Sequence, residues 1–428
     1  MQKKIQNILK RLLHLHPKSV DLSLYRIERL LKDLNNPENK IQNAIQVVGT
    51  NGKHSVCSTL REIFETAGYS VNMNISPSLK KFNERYYLLG KYISDEELCE
   101  LLIEVEKINN NQNITFHEFI CACFFLAASR KKSDLTILES GLFFRLDASN
   151  VLKQNIASIV TPIGMDHKDF LKKGTIEEIV YEKCSHLLEK SKIIISEQKE
   201  EVLKNIKQNI SKNSSLKFIF GEDYKYIKTN NGFIFKDKKG KINLPYPNLL
   251  GDFQISNICT AISAVRNLDQ FKIKETHIKE AVTKIRSEGR LQFIKEGKLR
   301  KHVSKNNEIL IDGAHNVLAA KAVEKYLGSL NYGKKIIMLL GMMSNKEHKE
   351  FIQVFKNRVE SIFALNIPNQ VNFINKEKLS KIVQSCGIRS RTESSIKTAL
   401  KNASKENENA IIFCTGSLYF AGEILNLN

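Results

Sequence analysis

Apolar and polar positions follow two rhythms along this chain. Short β-branched runs at 44–48, 70–75, 135–139, 157–161 and 192–196 alternate with longer stretches, such as 56–67 and 176–188, whose apolar residues recur at helical spacing. Continuous apolar strands separated by amphipathic helices predict an α/β fold with a mainly parallel sheet. The opening MQKKIQNILKRLL reads as a basic amphipathic helix. Residues 215–245 differ: apolar and polar positions alternate about a turn at 230–232, which predicts a β-hairpin excursion. A helix from about 253 to 268 then restores the helical period.

Around 286–297 (RSEGRLQFIKEG) the periodicity lapses in a charged, glycine-containing stretch. Beyond it, strand–helix alternation restarts at 308–311, 317–327, 335–340 and 410–414. The pattern predicts a large N-terminal domain over 1–289, a hinge at 290–298 and a smaller C-terminal α/β domain over 299–428. A chain of 428 residues is itself too long for one ordinary core.

Composition narrows the class. Hydrophobic residues at 42% and charged residues at 26% give a soluble globular balance, and no run approaches the roughly 18 apolar residues that span a bilayer. The N-terminus lacks the apolar core and cleavage site of a secretory signal. Eight cysteines show no CxxC pair or zinc-ligand spacing, which suits buried thiols in a reducing cytoplasm. A net charge of +20 raises a nucleic-acid partner. No RNA- or DNA-binding motif is present and aromatics do not interleave the basic runs, so a small anionic substrate accounts for the charge equally well.

Candidate chemistry gathers at strand ends. IQVVGTNGKHS (45–55) takes an apolar strand through a glycine turn into a helix. Gly49 and Gly52 permit turn geometry, Lys53 adds charge and the helix adds its positive end, together a phosphate cradle. It departs from the full P-loop pattern, because the hydroxyl residue follows Lys53 by two positions. Glu139 closes another apolar strand, at the sheet edge where α/β proteins bind ligands, and a carboxylate there suits Mg2+. Asp166 and His167 end the next run at the corresponding edge, with a core histidine as the alternative. Lys183, in YEKC, reads as a phosphate contact or a surface charge. ILIDGAHN (309–316), with Asp312 and His315, and CTGSLY (414–419) repeat the logic in the smaller domain, suggesting an active site in a cleft between domains.

Taken in order, these segments resemble the folylpolyglutamate synthase/dihydrofolate synthase family, relatives of the Mur ligases. HPKSVDLSLYRIERLL is similar to the family's pterin-site segment, GTNGKHS to its GTNGKGS loop, ISPSLKKFNER to its TSPHL..F.ER loop, TFHEF to TFFEF and ESGLFFRLDASNV to EVGLGGRLDATNV. GMDHKDFL, YEKCSHL, GDFQISN, EGRLQFI, DGAHN and TGSLY follow in the family's order, so the likeness covers nearly the whole chain.

The resemblance implies a large N-terminal P-loop-type ATPase domain and a smaller Rossmann-like C-terminal domain. It implies ATP on Thr50, Asn51, Gly52 and Lys53, completed by Asn257, Arg290 and Asp312, and Mg2+ on Ser76, Glu139 and His167, with a monovalent cation such as K+ as a further ion. Lys53, Lys183 and His315 are implied as catalytic, Lys183 matching a lysine that is carbamylated in the family. Asp21, Leu22, Ser23, Leu24, Thr115, Phe116, His117, Glu118, Leu146, Asp147 and Ala148 match the dihydropteroate/folate pocket. The implied activity is ATP-dependent ligation of L-glutamate to dihydropteroate, tetrahydrofolate or both through an acyl phosphate, by a cytoplasmic monomer with no nucleic-acid or membrane partner. A peptidoglycan Mur ligase and a catalytically weakened folate- or nucleotide-binding homologue are the alternatives. The second is motivated by His54, Ser78 and the pair Phe143 and Phe144, which replace the family's glycine, histidine and two glycines.

Overall fold

The apolar runs of the N-terminal part become the central strands of one sheet. In chain order its strands are β1 (Ala44–Val48), β2 (Val71–Asn74), β3 (Tyr86–Leu88), β4 (Lys91–Tyr92), β5 (Leu135–Glu139), β6 (Ala157–Val160), β7 (Lys192–Ile195) and β8 (Leu216–Ile219). They form one sheet in the order β4-β3-β2-β5-β1-β6-β7-β8. The strands from β2 to β8 in that order run parallel, and β3 and β4 add antiparallel pairs at one edge. Every residue of β1, β2, β5 and β6 is buried, including the polar Gln46, Asn72, Asn74, Thr136 and Ser158.

The computed structural model describes residues 1–18, 21–330 and 333–428. It divides into two units: Met1–Ile163, Thr175–Asn248 and Ile255–Ile285 form the first, and Gly164–Gly174, Leu249–Gln254 and Arg286–Asn428 the second. Two short segments from the N-terminal part therefore pack with the C-terminal unit, where pattern alone drew one boundary. Ser19 and Val20, within the pterin-like segment, lie outside the described residues.

In the first unit the longest apolar stretch is the helix Phe116–Arg130, buried from Glu118 through Ala128. A helix apolar all round belongs inside, and this one packs against helices Tyr25–Asp33 and Asp95–Asn109. The N-terminal helix Gln2–Leu12 adds Ile5, Ile8 and Leu12 to the same core and pins its basic face through Arg11 to Glu106 at 2.7 and 3.0 Å. Among the described residues no helix is long and apolar enough to cross a membrane. All eight cysteines are buried free thiols.

The excursion at 215–245 resolves into two parts. Strands β9 (Tyr224–Thr229), β10 (Gly232–Asp237) and β11 (Gly240–Pro245) form an antiparallel ribbon, with the first turn at the expected place. Residues 216–219, expected in the hairpin, are instead β8, the parallel edge strand of the main sheet. An edge strand with one side toward solvent alternates just as a hairpin strand does, so periodicity cannot separate them.

The second unit carries β12 (Gln292–Ile294), β13 (Glu308–Ile311), β14 (Lys335–Leu340), β15 (Ser361–Ala364), β16 (Arg389–Thr392) and β17 (Ala410–Thr415) in the order β12-β13-β17-β14-β15-β16. Five are parallel, and β12 is an antiparallel edge. Its apolar core runs through Leu310, Met338, Phe351, Phe355 and Phe413.

Phe124 lies within the first unit's core, 1% exposed and beside Tyr86 and Phe125. Phe124→Ala is expected to cost about 3–5 kcal/mol of stability. Urea denaturation checks this; an unchanged midpoint would contradict the burial.

Candidate active site

The turn after β1 is held by the end of β6. The N–H groups of Thr50 and Asn51 donate to Pro162 O at 3.0 and 3.1 Å. At Gly49, with φ +152°, a Cβ would lie 2.0 Å from Thr161 Oγ1 and 2.8 Å from Thr161 O, so no side chain fits. These two loop N–H groups brace the turn against the segment that follows β6. The donors left for an anion are those of the helix Lys53–Thr66, whose first internal bond is Val56 N–H to Gly52 O at 3.0 Å. The preceding N–H groups of its first turn have no partner within the helix. Lys53 Nζ folds back to Gly49 O at 3.1 Å and Thr50 O at 3.2 Å. Asn257 packs on Gly52, where a Cβ would lie 2.5 Å from its Oδ1. Thr50, Asn51, Gly52, Lys53 and Asn257 are thus brought together.

Glu139 ends β5 beside β1, paired in register with Val47, and is 5% exposed. Its Oε2 lies 3.4 Å from Ser76 N and 3.9 Å from His54 Nδ1, both long contacts. The neighbouring Ser140 Oγ is buried without a hydrogen-bond partner among the described residues. A buried carboxylate so loosely held suits Mg2+, which takes one or two carboxylates and completes its shell with phosphate and water. Among the described residues no three His, Cys, Asp or Glu side chains gather as a complete cage.

Lys183, 2% exposed on the helix Ile176–Cys184, donates from Nζ to Leu142 O at 2.6 Å and Gly49 O at 2.9 Å, and lies 5.3 Å from the Phe143 ring centroid. Next to it Glu182 takes Arg145 in a bidentate pair at 2.9 and 3.0 Å, and its carbonyl accepts the N–H groups of Phe144 and Arg145.

The segments DLSL, TFHEF and LDAS are joined by two buried charges. Arg26, 2% exposed, donates to Asp21 Oδ2 at 2.7 Å, to Asp21 O at 2.8 Å and to Glu118 Oε2 at 2.9 Å. Glu118 in turn closes a capping box with Thr115, accepting its N–H and hydroxyl at 2.8 Å each. Asp147 accepts Gly141 N–H at 2.9 Å and Ser149 N–H and Oγ at 2.9 and 2.6 Å, and stands 3.5 Å from His117 Nε2. Leu24 and Phe116 pack on the core, Ala148 is buried, and Leu22 and Leu146 are half-buried. Ser23 Oγ and Glu118 Oε1 are buried with no partner among the described residues, which leaves polar groups for a ligand to satisfy. Burial opposes charge on His117, yet Cys121 and the Asp147 carboxylate carry its pKa well above the usual imidazole range. Burial likewise opposes ionisation of Asp147, and His117 brings its pKa below the ordinary value.

In the second unit Asp312 follows β13 and is buried, accepting Ala314 N–H at 2.7 Å and Leu291 N–H at 2.8 Å. Burial pushes its carboxyl up, against the pull of Arg290. Arg290 lies over Gly313, where a Cβ would meet its Nη1 at 2.7 Å. His315 sits between Gly313 O, 2.9 Å from Nδ1, and Asp166 Oδ2, 3.5 Å from Nε2. Asp166 also takes Lys346 Nζ at 2.6 Å and Asn316 Nδ2 at 3.0 Å. Burial works against its charge, but His315, His167 and Lys346 hold it well below the carboxylate range. Asp166 and His167 therefore do not end β6: they lie beyond it, in the Gly164–Gly174 segment of this unit, with His167 at φ +56° and its Nε2 3.8 Å from Asp166.

Residues 47–265 match the Mur ligase middle domain and residues 295–427 the dihydrofolate synthetase C-terminal domain. A dihydrofolate synthase/folylpolyglutamate synthase from Buchnera aphidicola is 30% identical over 384 residues, covering 89% of this chain and 88% of that protein. The chain belongs to the dihydrofolate synthase/folylpolyglutamate synthase family. A Bacillus subtilis protein of the same name is 27% identical, covering 94% of each chain. Two solved structures share the fold across 99% of this chain and 97% of theirs: Escherichia coli FolC with DHPP and ADP (TM-score 0.87, 23% identity) and the Yersinia pestis bifunctional enzyme with Mn, AMPPNP and L-glutamate (TM-score 0.86, 22% identity).

Within this family's pattern, Phe143 and Phe144 are 1% and 0% exposed and neither has a positive φ. The loop here uses ordinary backbone conformations and turns both rings into the core. Arg26 and Lys346 are among the residues of these clusters that motif pattern alone does not single out. Arg26 was detectable as a charge four residues before Leu30 on the apolar stripe of its helix. Lys346 lies in a loop without periodicity, so nothing marked it.

Arg26→Met would leave the buried Glu118 without its cation and is expected to cost about 3 kcal/mol or more in denaturant unfolding. For His117, the raised pKa means a stabilising contribution full below about pH 6.5 and lost as pH rises through the folded value. The contribution of Asp147 is present above about pH 4 and lost as pH falls through its lowered pKa. NMR titration should find the His117 ring largely protonated at pH 7, with Asp147→Asn returning its titration toward the ordinary imidazole range.

Proposed function

We propose that this chain is an ATP-dependent amide ligase that joins L-glutamate to dihydropteroate, tetrahydrofolate or both. The observation that carries the reading is family membership over both units together with a braced glycine–lysine turn beside the buried Glu139. A carboxylate is a poor electrophile. In the proposed reaction an acceptor carboxylate oxygen attacks the γ-phosphorus of ATP, releasing ADP and leaving an acyl phosphate. The L-glutamate amine then attacks the acyl carbon, the amine loses a proton, and phosphate departs.

Each cluster has a part in this scheme. Lys53, now on the carbonyls of Gly49 and Thr50, moves to the phosphoryl oxygens, and the N-terminal turn of its helix supports their charge. Thr50, Asn51, Gly52 and Asn257 position the triphosphate, and Arg290 and Asp312 of the second unit complete nucleotide binding. Ser76, Glu139 and His167 would hold Mg2+, which would offset charge on the transferring phosphoryl group. Lys183 holds the turn through Gly49 O; carbamylation would exchange that cation for a carboxylate-like metal ligand. Asp21, Leu22, Ser23, Leu24, Thr115, Phe116, His117, Glu118, Leu146, Asp147 and Ala148 form the acceptor pocket. His315 is held by Gly313 and Asp166 for work on the reacting groups. We also infer a cytoplasmic monomer acting on small molecules, with no nucleic-acid partner.

Purified protein with ATP, Mg2+ and labelled L-glutamate should form product with dihydropteroate or tetrahydrofolate, and Lys53→Ala should lower kcat about a hundredfold or more. Product with both acceptors establishes a bifunctional enzyme. No product with either, in protein that still binds ATP, would overturn the ligase reading in favour of a binding protein.

A further inference from the structure

The turn after β1 carries one side chain that the family motif lacks, the imidazole of His54 in place of glycine. We propose that His54 is an additional ligand of the nucleotide-bound divalent cation, and that it shifts metal selectivity toward ions that accept imidazole, such as Mn2+ and Co2+. This inference rests on the ATP-dependent reading above.

The geometry of the pair supports it. His54 Nδ1 and Glu139 Oε2 are 3.9 Å apart, too far for a hydrogen bond between them. Two ligands of one octahedral ion, with bonds of about 2.1 Å, stand about 3 Å apart when adjacent and about 4.2 Å when opposite. The observed 3.9 Å lies close to the second of these values, so a shared ion requires a small shift and no rebuilding. Both groups are anchored in the first unit. Glu139 is the last residue of β5, locked to β1, and His54 is the second residue of a helix whose preceding turn is tied to Pro162 O. The imidazole is 24% exposed, leaving room for phosphate and water in the remaining coordination positions.

The chemical consequence follows from ligand type. Mg2+ prefers oxygen and gains little from an imidazole, whereas Mn2+ and Co2+ accept nitrogen readily. A glycine at this position supplies no ligand at all. If His54 were a mere ion-pair partner of Glu139, it would compete with the cation instead of binding it. Its removal would then tighten every divalent ion alike.

The test is direct binding, independent of turnover. Mn2+ and Mg2+ affinities are measured in the presence of β,γ-imido-ATP for the full-length protein, His54→Gly and His54→Gln, with nucleotide binding followed in parallel. Removing the imidazole is expected to weaken Mn2+ about tenfold or more with Mg2+ nearly unchanged, so that the Mn2+/Mg2+ selectivity falls by that factor. Pulsed EPR of bound Mn2+ should lose one nitrogen coupling in both variants. An unchanged selectivity ratio in either folded variant that still binds nucleotide, or tighter binding of both ions, would overturn the proposal and leave the ligase reading intact. Failure of the unsubstituted protein to bind β,γ-imido-ATP at all would overturn both.

Discussion

A single carbonyl, that of Gly49, organises the glycine–lysine turn after β1 in the first unit. It accepts a hydrogen bond from Lys53 at 3.1 Å and from Lys183 at 2.9 Å. It can do so because the Gly49 backbone lies against Thr161 more closely than any side chain would allow, while the next two N–H groups bond Pro162 O. The close approach couples β1 to the end of β6, and through Lys183 it couples the turn to the loop after β5. Two cations around one carbonyl leave the region strongly positive, suited to a triphosphate.

The DLSL, TFHEF and LDAS segments depend on the opposite device, buried charges used as ties between segments distant in sequence. Arg26 joins Asp21 to Glu118, and Asp147 joins its own loop to Gly141 and stands by His117. These groups are costly to bury, and the surrounding hydrogen bonds offset that cost. The result is a set of loops whose positions are set by paired charges in place of regular structure. That arrangement leaves Ser23 Oγ and Glu118 Oε1 available to a bound molecule. The second unit uses Asp166 similarly, gathering His315, Asn316 and Lys346 about one carboxylate.

Departures from the family pattern fall into two physical kinds. Phe143 and Phe144 turn inward and become part of the packing, so their effect on chemistry is indirect. His54 stays partly exposed, close to the buried Glu139 carboxylate, and adds a donor atom of a new type. A motif comparison weights the two changes alike; burial and distance separate them.

By itself the sequence determined most of the parallel strands and their α/β alternation, since strands buried on both faces are largely apolar and amphipathic helices repeat at 3.6 residues; β3, β4, β12, β15 and β16 were not among the runs it marks. It also determined the turn at Gly49, because that backbone geometry excludes side chains, and the family to which the motif order points. Tertiary structure decided what local pattern cannot carry. It made residues 216–219 a parallel edge strand, and it placed Gly164–Gly174 with the second unit. It assigned the N–H groups of Thr50 and Asn51 to Pro162, and made Arg26 the tie between two motifs 92 residues apart. Those outcomes depend on which backbone groups and charges meet across long sequence separations, and periodicity reports each residue's burial without naming its partner.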